Sequence, residues 1–329
     1  MIRIYRAGCQ DCEEADALAP GWRLPNDAIW IDLIAPTRDE DLAVEEALGL
    51  SVPTREEMVE LEASSRLYRE NGATYVTADI IHHGDADLPT LDPVTFILTP
   101  GPLVTIRYFD PKPFSMVLDK VGREPELCRS GADLFLNLME AVIDRASDIL
   151  SANAARVEVI GEQIFGGRPV RFERLLNRLG RAQIANARIE QSLAGFARLF
   201  SFVTLDERVE AAPTAREHLR SLTADASSLL SHNQSIAAAI NFQLSAALGL
   251  INIQQSSILK IFSVVTVCLM PPTLIGAIYG MNFDHMPELR WAWGYPLALA
   301  AMAVSGLAPL LWFKQKGWLW RNPRVTTPA

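Results

Sequence analysis

Cysteine is scarce, with four residues in a chain of 329, one isolated (Cys128) and one inside an apolar run (Cys268), so no disulfide framework is available. Cys9 and Cys12 make a lone Cys-x-x-Cys. Without a second pair at ligand spacing this is half a zinc site, and reduced thiols are the simpler account. Basic clusters interleaved with aromatics are missing and the formal net charge is −9, which argues against nucleic acid as a partner. The chain has no glycine-rich phosphate loop, and His82 and His83, adjacent on a predicted strand, are expected to point to opposite faces. Neither feature supports an enzyme. The opening "MIRIYRAGCQDCEEADALAP" has no apolar core of the signal-peptide kind, so the large N-terminal part is expected to stay in the cytoplasm.

Charge itself is nearly absent from two stretches. Ile258 to Tyr279 contains a single charged residue, Lys260, and Tyr295 to Phe313 contains none. At about 1.5 Å per residue each is roughly 30 Å long as a helix, the thickness of a bilayer's hydrocarbon core. Lys260, which opens the first span, and Lys314, Lys316, Arg321 and Arg324 after the second predict both chain ends on the cytoplasmic side. The short connection, with one Arg against Asp284 and Glu288, is then external.

Residues 1–128 alternate strand and helix signals and predict an α/β domain with a mixed or antiparallel sheet. Asn71-Gly72 between two β-rich runs predicts a hairpin, and Pro100-Gly101-Pro102 breaks "VTFIL" from "LVTIR". From Gly131 the pattern becomes helical, with the breaker "GGRP" at 166–169 and a second helix from Val170 to about Phe202. Between Thr214 and Leu248 there is neither Gly nor Pro. Leu219, Leu222, Ala226, Leu229, Ile236, Ile240, Ala247 and Leu250 fall at three-to-four spacing there, with Asn233 and Gln243 in the same seam. A helix running from Pro213 into the first span is expected to pack partly on the two helices before it and partly on copies of itself. The expected divisions are 1–128 for the α/β domain, 129–256 for a long-helix stalk, 257–280 for the first span, 281–294 for the external loop, 295–314 for the second span and 315–329 for a basic tail.

The first span ends in "MPPTLIGAIYGMN" and is followed by "MPELRWAWGYP". This combination, at the outer end of a C-terminal two-span hairpin, closely resembles the CorA family of magnesium channels, whose signature is Gly-Met-Asn with Met-Pro-Glu-Leu in the loop after it. The resemblance is strong over roughly residues 255–318 and architectural elsewhere. It implies an α+β cytoplasmic domain, a long helical stalk and two C-terminal membrane helices assembled as a funnel-shaped homopentamer in the bacterial inner membrane. Its partners are then copies of itself, lipid and divalent cations, with no covalent cofactor.

By the same resemblance Gly280, Met281 and Asn282 form the selectivity filter. A ring of neutral amide oxygens accepts hydrogen bonds from the water shell of Mg²⁺, an ion that dehydrates reluctantly; a carboxylate ring would bind too strongly and release slowly. Helical spacing back from Asn282 puts Ala277, Thr273, Met270, Phe262, Leu259 and Ser256 along the pore, the apolar ones as constrictions. The paired Pro271-Pro272 departs from the family's usual single proline, and Ser256 stands where many members have Asn. Asp284 and Glu288 are placed to attract cations at the mouth. Trp291, Trp293 and Tyr295 suit an interfacial belt. Mg²⁺ is expected both as cargo, with Co²⁺ and Ni²⁺ beside it, and as a regulatory ligand held by carboxylates drawn from Asp79, Asp85, Asp87 and Asp225. The alternatives are a Zn²⁺ transporter on the same scaffold, whose branch carries Gly-Val-Asn, and a non-conducting membrane-anchored sensor.

Overall fold

The computed structural model describes residues 1–6, 13–15, 24–60, 62–84, 88–123, 129–167, 171–282 and 286–317. Elements follow in the order β1 (Ile2–Arg6), β2 (Glu13–Ala15), β3 (Ala28–Ile34), α1 (Arg38–Leu48), α2 (Arg55–Val59), α3 (Ala63–Arg66), β4 (Leu67–Glu70), β5 (Ala73–His82), β6 (Thr90–Leu98) and β7 (Leu103–Arg107). The helical remainder is α4 (Lys112–Arg123), α5 (Gly131–Phe165), α6 (Phe172–Val203), α7 (Glu207–Glu210), α8 (Pro213–Tyr279) and α9 (Gly294–Gln315). Contacts divide the chain into two units, one of residues 1–163 with 173–243, the other of residues 164–172 with 244–329.

The first unit is built on a seven-stranded sheet in the order β2-β1-β3-β7-β6-β5-β4, antiparallel except where β3 runs parallel to β7. Asn71 and Gly72 both take positive φ (48° and 76°), the geometry of the tight hairpin that joins β4 to β5. Thr37 and Thr54 each close a capping box with the Glu three residues on, which starts α1 and α2 where the chain leaves an extended run. Side chains alternate along the central strands. Ile31, Leu33, Val104 and Ile106 join Val44 of α1 and Met58 of α2 in one core. Trp30 and Phe96 face the other way, packing on Phe114 of α4, with Phe96 also reaching Phe135 of α5.

On that second face β3 and β7 carry a buried polar chain. Asp32 and Arg107 form an ion pair of 2.8 Å, with side chains 1% and 2% exposed. Thr105 donates to Asp32 (2.7 Å) and accepts from Trp30 Nε1 (2.8 Å), while Arg107 also donates to the Phe109 carbonyl. Burial alone would oppose the guanidinium charge, but hydrogen bonds and the charges of Asp32 and Asp110 outweigh it and hold Arg107 above its ordinary value.

The α8 seam is covered by the chain's own helices. Leu219, Leu222, Ala226, Ile236 and Ile240 are all at most 5% exposed within one copy, so this stripe needs no second copy to bury it. Asn186 of α6 donates to the Asn233 carbonyl (3.3 Å) and Gln243 donates to the Val157 carbonyl of α5 (3.0 Å), which sets the register of the three helices. The Asn233 side chain is fully buried, and neither of its amide atoms is hydrogen-bonded to another of the described residues.

Candidate functional site

The second unit contains the C-terminal part of α8 and α9. Their most apolar 18-residue windows are 11% and 6% buried. A core helix of a water-soluble domain would be mostly buried, so these helices require another apolar medium or other chains around them. Pro271 and Pro272 lie inside α8, and Pro272 leaves the Cys268 carbonyl without its helical donor. That carbonyl faces α9 at Gly306, where a Cβ would come within 3.3 Å of it and 3.2 Å of Pro272 Cγ. Glycine at 306 thus lets the two backbones approach at the point where α8 is weakest. Val264, Cys268 and Phe313 close the same contact as a small buried cluster.

At about 100° per residue, Ser256, Leu259, Phe262, Met270, Thr273 and Ala277 share one side of α8, opposite Val264 and Cys268. All six are exposed in the single chain, Leu259 and Phe262 at 66% and Met270 at 69%. Met270, Thr273 and Ala277 line one shallow groove with Thr266, Leu269 and Leu274. The Thr273 hydroxyl donates to the Leu269 carbonyl (2.8 Å), which turns its oxygen lone pairs outward from the backbone.

The helix ends where the signature begins. Gly280 N–H donates to the Gly276 carbonyl (3.0 Å) and Met281 N–H to that of Ile278 (3.3 Å), tightening the last turn. A Cβ on residue 280 would lie 3.1 Å from the Gly276 oxygen, closer than ordinary contact, so the turn is made for glycine by space and not by a left-handed φ. Met281 is 47% exposed and Asn282 is exposed beside it. Trp291, Trp293 and Tyr295 are 58%, 66% and 76% exposed. Asp284, Asp85 and Asp87, the side chain of Glu288, and Cys9, Cys12 and Cys128 lie outside the described residues.

The remaining carboxylate candidates lie in the first unit with separate surroundings. Asp79 is gripped by the Arg66 fork at 3.0 and 3.1 Å and accepts from Gln191 Nε2 at 3.0 Å, so it would take an ion only by giving up Arg66. Asp225 is exposed on α8. Its charge acts on Asp144 of α5, which partial burial and then Glu140, Asp148 and Asp225 hold above the usual carboxylate range against Lys120. Among the described residues no three His, Cys, Asp or Glu side chains are grouped to hold a metal ion.

One expectation is corrected. His82 and His83 do not diverge; their rings are 4.3 Å apart because β5 ends at His82 and His83 turns to φ 53°, which breaks the strand's alternation. His82 Nε2 is paired with Asp92 at 2.6 Å. What sequence reasoning missed is the Gly306 contact and the Asp32–Arg107 pair. The first had a signal in the small residue opposite the double proline; the second had none beyond a charged residue inside each of two apolar strands.

A family model described as "CorA-like Mg2+ transporter protein" matches residues 25–315. The Magnesium transport protein CorA of Salmonella typhimurium is 33% identical over 294 residues, covering 89% of this chain and 92% of that protein. The protein of the same name from Escherichia coli K12 is 33% identical over 293 residues, with the same coverages. Among solved structures, the CorA magnesium transporter of Methanocaldococcus jannaschii superposes with a TM-score of 0.79 at 19% identity, covering 97% of this chain and 99% of that one. Full-length CmaX superposes with a TM-score of 0.70 at 14% identity and 97% coverage of both. These two support the fold alone.

Proposed function

The chain belongs to the CorA-like Mg²⁺ transporter family, and from that premise we propose that it is a homopentameric channel for passive Mg²⁺ uptake, admitting Co²⁺ and Ni²⁺ as lesser cargo. The observation that carries this reading is the exposed face of α8 from Ser256 to Ala277, turned away from its contact with α9 and leading to Asn282. In an assembly around an axis that face lines the conduit and α9 forms the outer ring. The Asn282 amides accept from the ion's water shell at the mouth, with Gly280 and Met281 shaping the turn that presents them. Met270, Phe262 and Leu259 are the apolar constrictions, with Thr273 and Ser256 as the polar positions among them. Asp284 and Glu288 raise the local cation concentration at the entrance. Both termini are in the cytoplasm of a bacterial inner membrane, and the exposed Trp291, Trp293 and Tyr295 rest at headgroup depth.

Gating by cytoplasmic Mg²⁺ needs ligands from two copies, because one copy groups no such site among its described residues. Asp225 is the better placed of the described candidates, being exposed, whereas Asp79 is spent on Arg66. Asp85 and Asp87 complete the proposed set.

Thiol labelling tests the pore face. With Cys9, Cys12 and Cys128 replaced by Ser and Cys268 retained, Met270→Cys and Thr273→Cys are expected to react with a small cationic methanethiosulfonate and to lose Mg²⁺ flux on modification. The parent carrying only Cys268, 7% exposed against α9, is expected to be inert. Equal labelling of the parent, or labelled variants with undiminished flux, would put another face on the conduit.

A further inference from the structure

The core between α5, α6 and α8 holds a polar layer that ion conduction does not use. Asn153 of α5, Asn186 of α6 and Asn233 of α8 are each at most 1% exposed, and Gln243 of α8 is 7% exposed. Three of these amides direct an N–H at a main-chain carbonyl of a neighbouring helix: Asn153 at Ala182 (3.2 Å), Asn186 at Asn233 (3.3 Å) and Gln243 at Val157 (3.0 Å). A carbonyl only accepts, so the other end of each amide is its oxygen. Ala182 lies one helical turn before Asn186, and Asn186 reaches the peptide of Asn233, which links the three asparagines across the three helices. Gln243 is seated over Gly161 of α5, where a Cβ would come within 2.7 Å of its Nε2. The side-chain oxygens of Asn153, Asn186, Asn233 and Gln243, with the Asn233 nitrogen, are buried and have no hydrogen-bond partner among the described residues.

We propose that the Asn153–Asn186–Asn233 layer is a binding site for internal water. The leftover atoms of the layer are three acceptors and one donor, all neutral and held on rigid helices. Water brings two O–H donors and an accepting oxygen, which matches that excess of acceptors, whereas an anion would meet amide lone pairs and a cation the Asn233 N–H. A buried polar atom left dry forfeits its hydration outright, and a water with about three hydrogen bonds restores it. Water shared in this way makes the amides interdependent, because removing one deprives the others of part of their partner. The layer shares no residue with the proposed conduit, so it stands or falls independently of the transport reading.

The test uses the full chain in nanodiscs, imaged by cryo-electron microscopy at a resolution that shows ordered water. Density is expected within hydrogen-bonding distance, about 2.7–3.2 Å, of the Asn233 amide and the Asn186 oxygen, and is expected to be lost in Asn233→Leu. Thermal unfolding gives a second readout. With water completing the layer, Asn233→Leu leaves the Asn186 oxygen stranded, and the unfolding temperature should fall by about 2–4 °C, the response of a domain of this size to a lost hydrogen bond. Asn153→Leu/Asn186→Leu/Asn233→Leu, which removes the whole polar set, should recover much of that fall. With dry amides the order reverses, since Asn233→Leu then only deletes two unsatisfied atoms. Asn153→Leu, at the other side of the layer, carries the same expectation if Asn233→Leu does not fold. No density where the side chains themselves are resolved, or an unfolding temperature unchanged or raised in the single variant, would overturn the proposal.

Discussion

Asn282→Ala is expected to lower Mg²⁺ uptake by at least about tenfold. In the proposed channel the amide would accept a hydrogen bond from the ion's hydration water, a contact of about 1 kcal/mol net, and the substitution would remove it from every copy in the proposed ring at once. The loss should appear as poorer discrimination as well as lower flux, since in this proposal the amide ring acts on the water shell that distinguishes Mg²⁺ from softer ions. Asn282→Asp separates shape from charge: it keeps the size and supplies carboxylates, so the ion should be held more tightly and released more slowly. Uptake by that variant is expected to saturate at lower Mg²⁺ with a reduced maximum. Radiotracer or fluorescent-indicator uptake into proteoliposomes, with Mg²⁺ and Zn²⁺ run side by side, reads both outcomes. Wild-type flux and selectivity in Asn282→Ala would remove the filter role.

Arg107→Ala is expected to destabilise the sheet unit by about 3–5 kcal/mol, because it strands the Asp32 carboxylate in the core. Asp32 is fully buried and, among the described residues, its remaining side-chain hydrogen bond comes from Thr105. The Phe109 carbonyl and the exposed Asp110 also lose Arg107 as their donor. The substitution further removes a guanidinium stacked 5.0 Å over the Phe114 ring. The diagnostic comparison is Asp32→Leu/Arg107→Met, which replaces both ions by apolar groups of similar volume and should recover most of the loss. Hydrogen exchange at the β3 and β7 amides reads the effect where it occurs. A cost of the single substitution below about 1 kcal/mol, the range of an exposed pair, would show that water reaches the pair.

Much of the architecture was legible because the signals were local. The Asn71-Gly72 hairpin, the break at Gly166-Gly167 and the start of α8 at Pro213 each follow from residues that restrict or free the backbone at that spot. The charge-poor stretches identified the two candidate membrane helices for the same reason. What was not legible depends on pairing between distant segments. The parallel β3–β7 pair joins strands 73 residues apart at Asp32 and Thr105, and no local pattern announces it. The seam on α8 was visible as a stripe, but a stripe does not name its partner, and α5 and α6 cover most of it within one copy. His82 and His83 depart from strand alternation because β5 ends at His82 and His83 lies one residue beyond it. At the candidate site, the signature residues were readable as a motif. The geometry that gives Gly280 its place, a Gly276 oxygen close to where a Cβ would sit, becomes visible only with the helix end.

In the proposed function this chain conducts Mg²⁺ passively through a ring of its own copies. Its most direct test is Mg²⁺ uptake by proteoliposomes of the purified protein under potassium diffusion potentials of graded size. Moving one elementary charge across the membrane is worth about 2.3 kcal/mol per 100 mV, so a divalent ion crossing without a coupled partner should respond steeply. Uptake is expected to grow as the interior is made more negative, to need no added proton gradient, and to favour Mg²⁺ over Zn²⁺. Uptake no greater than in empty liposomes, flux that follows a proton gradient at zero potential, or preference for Zn²⁺ would contradict it.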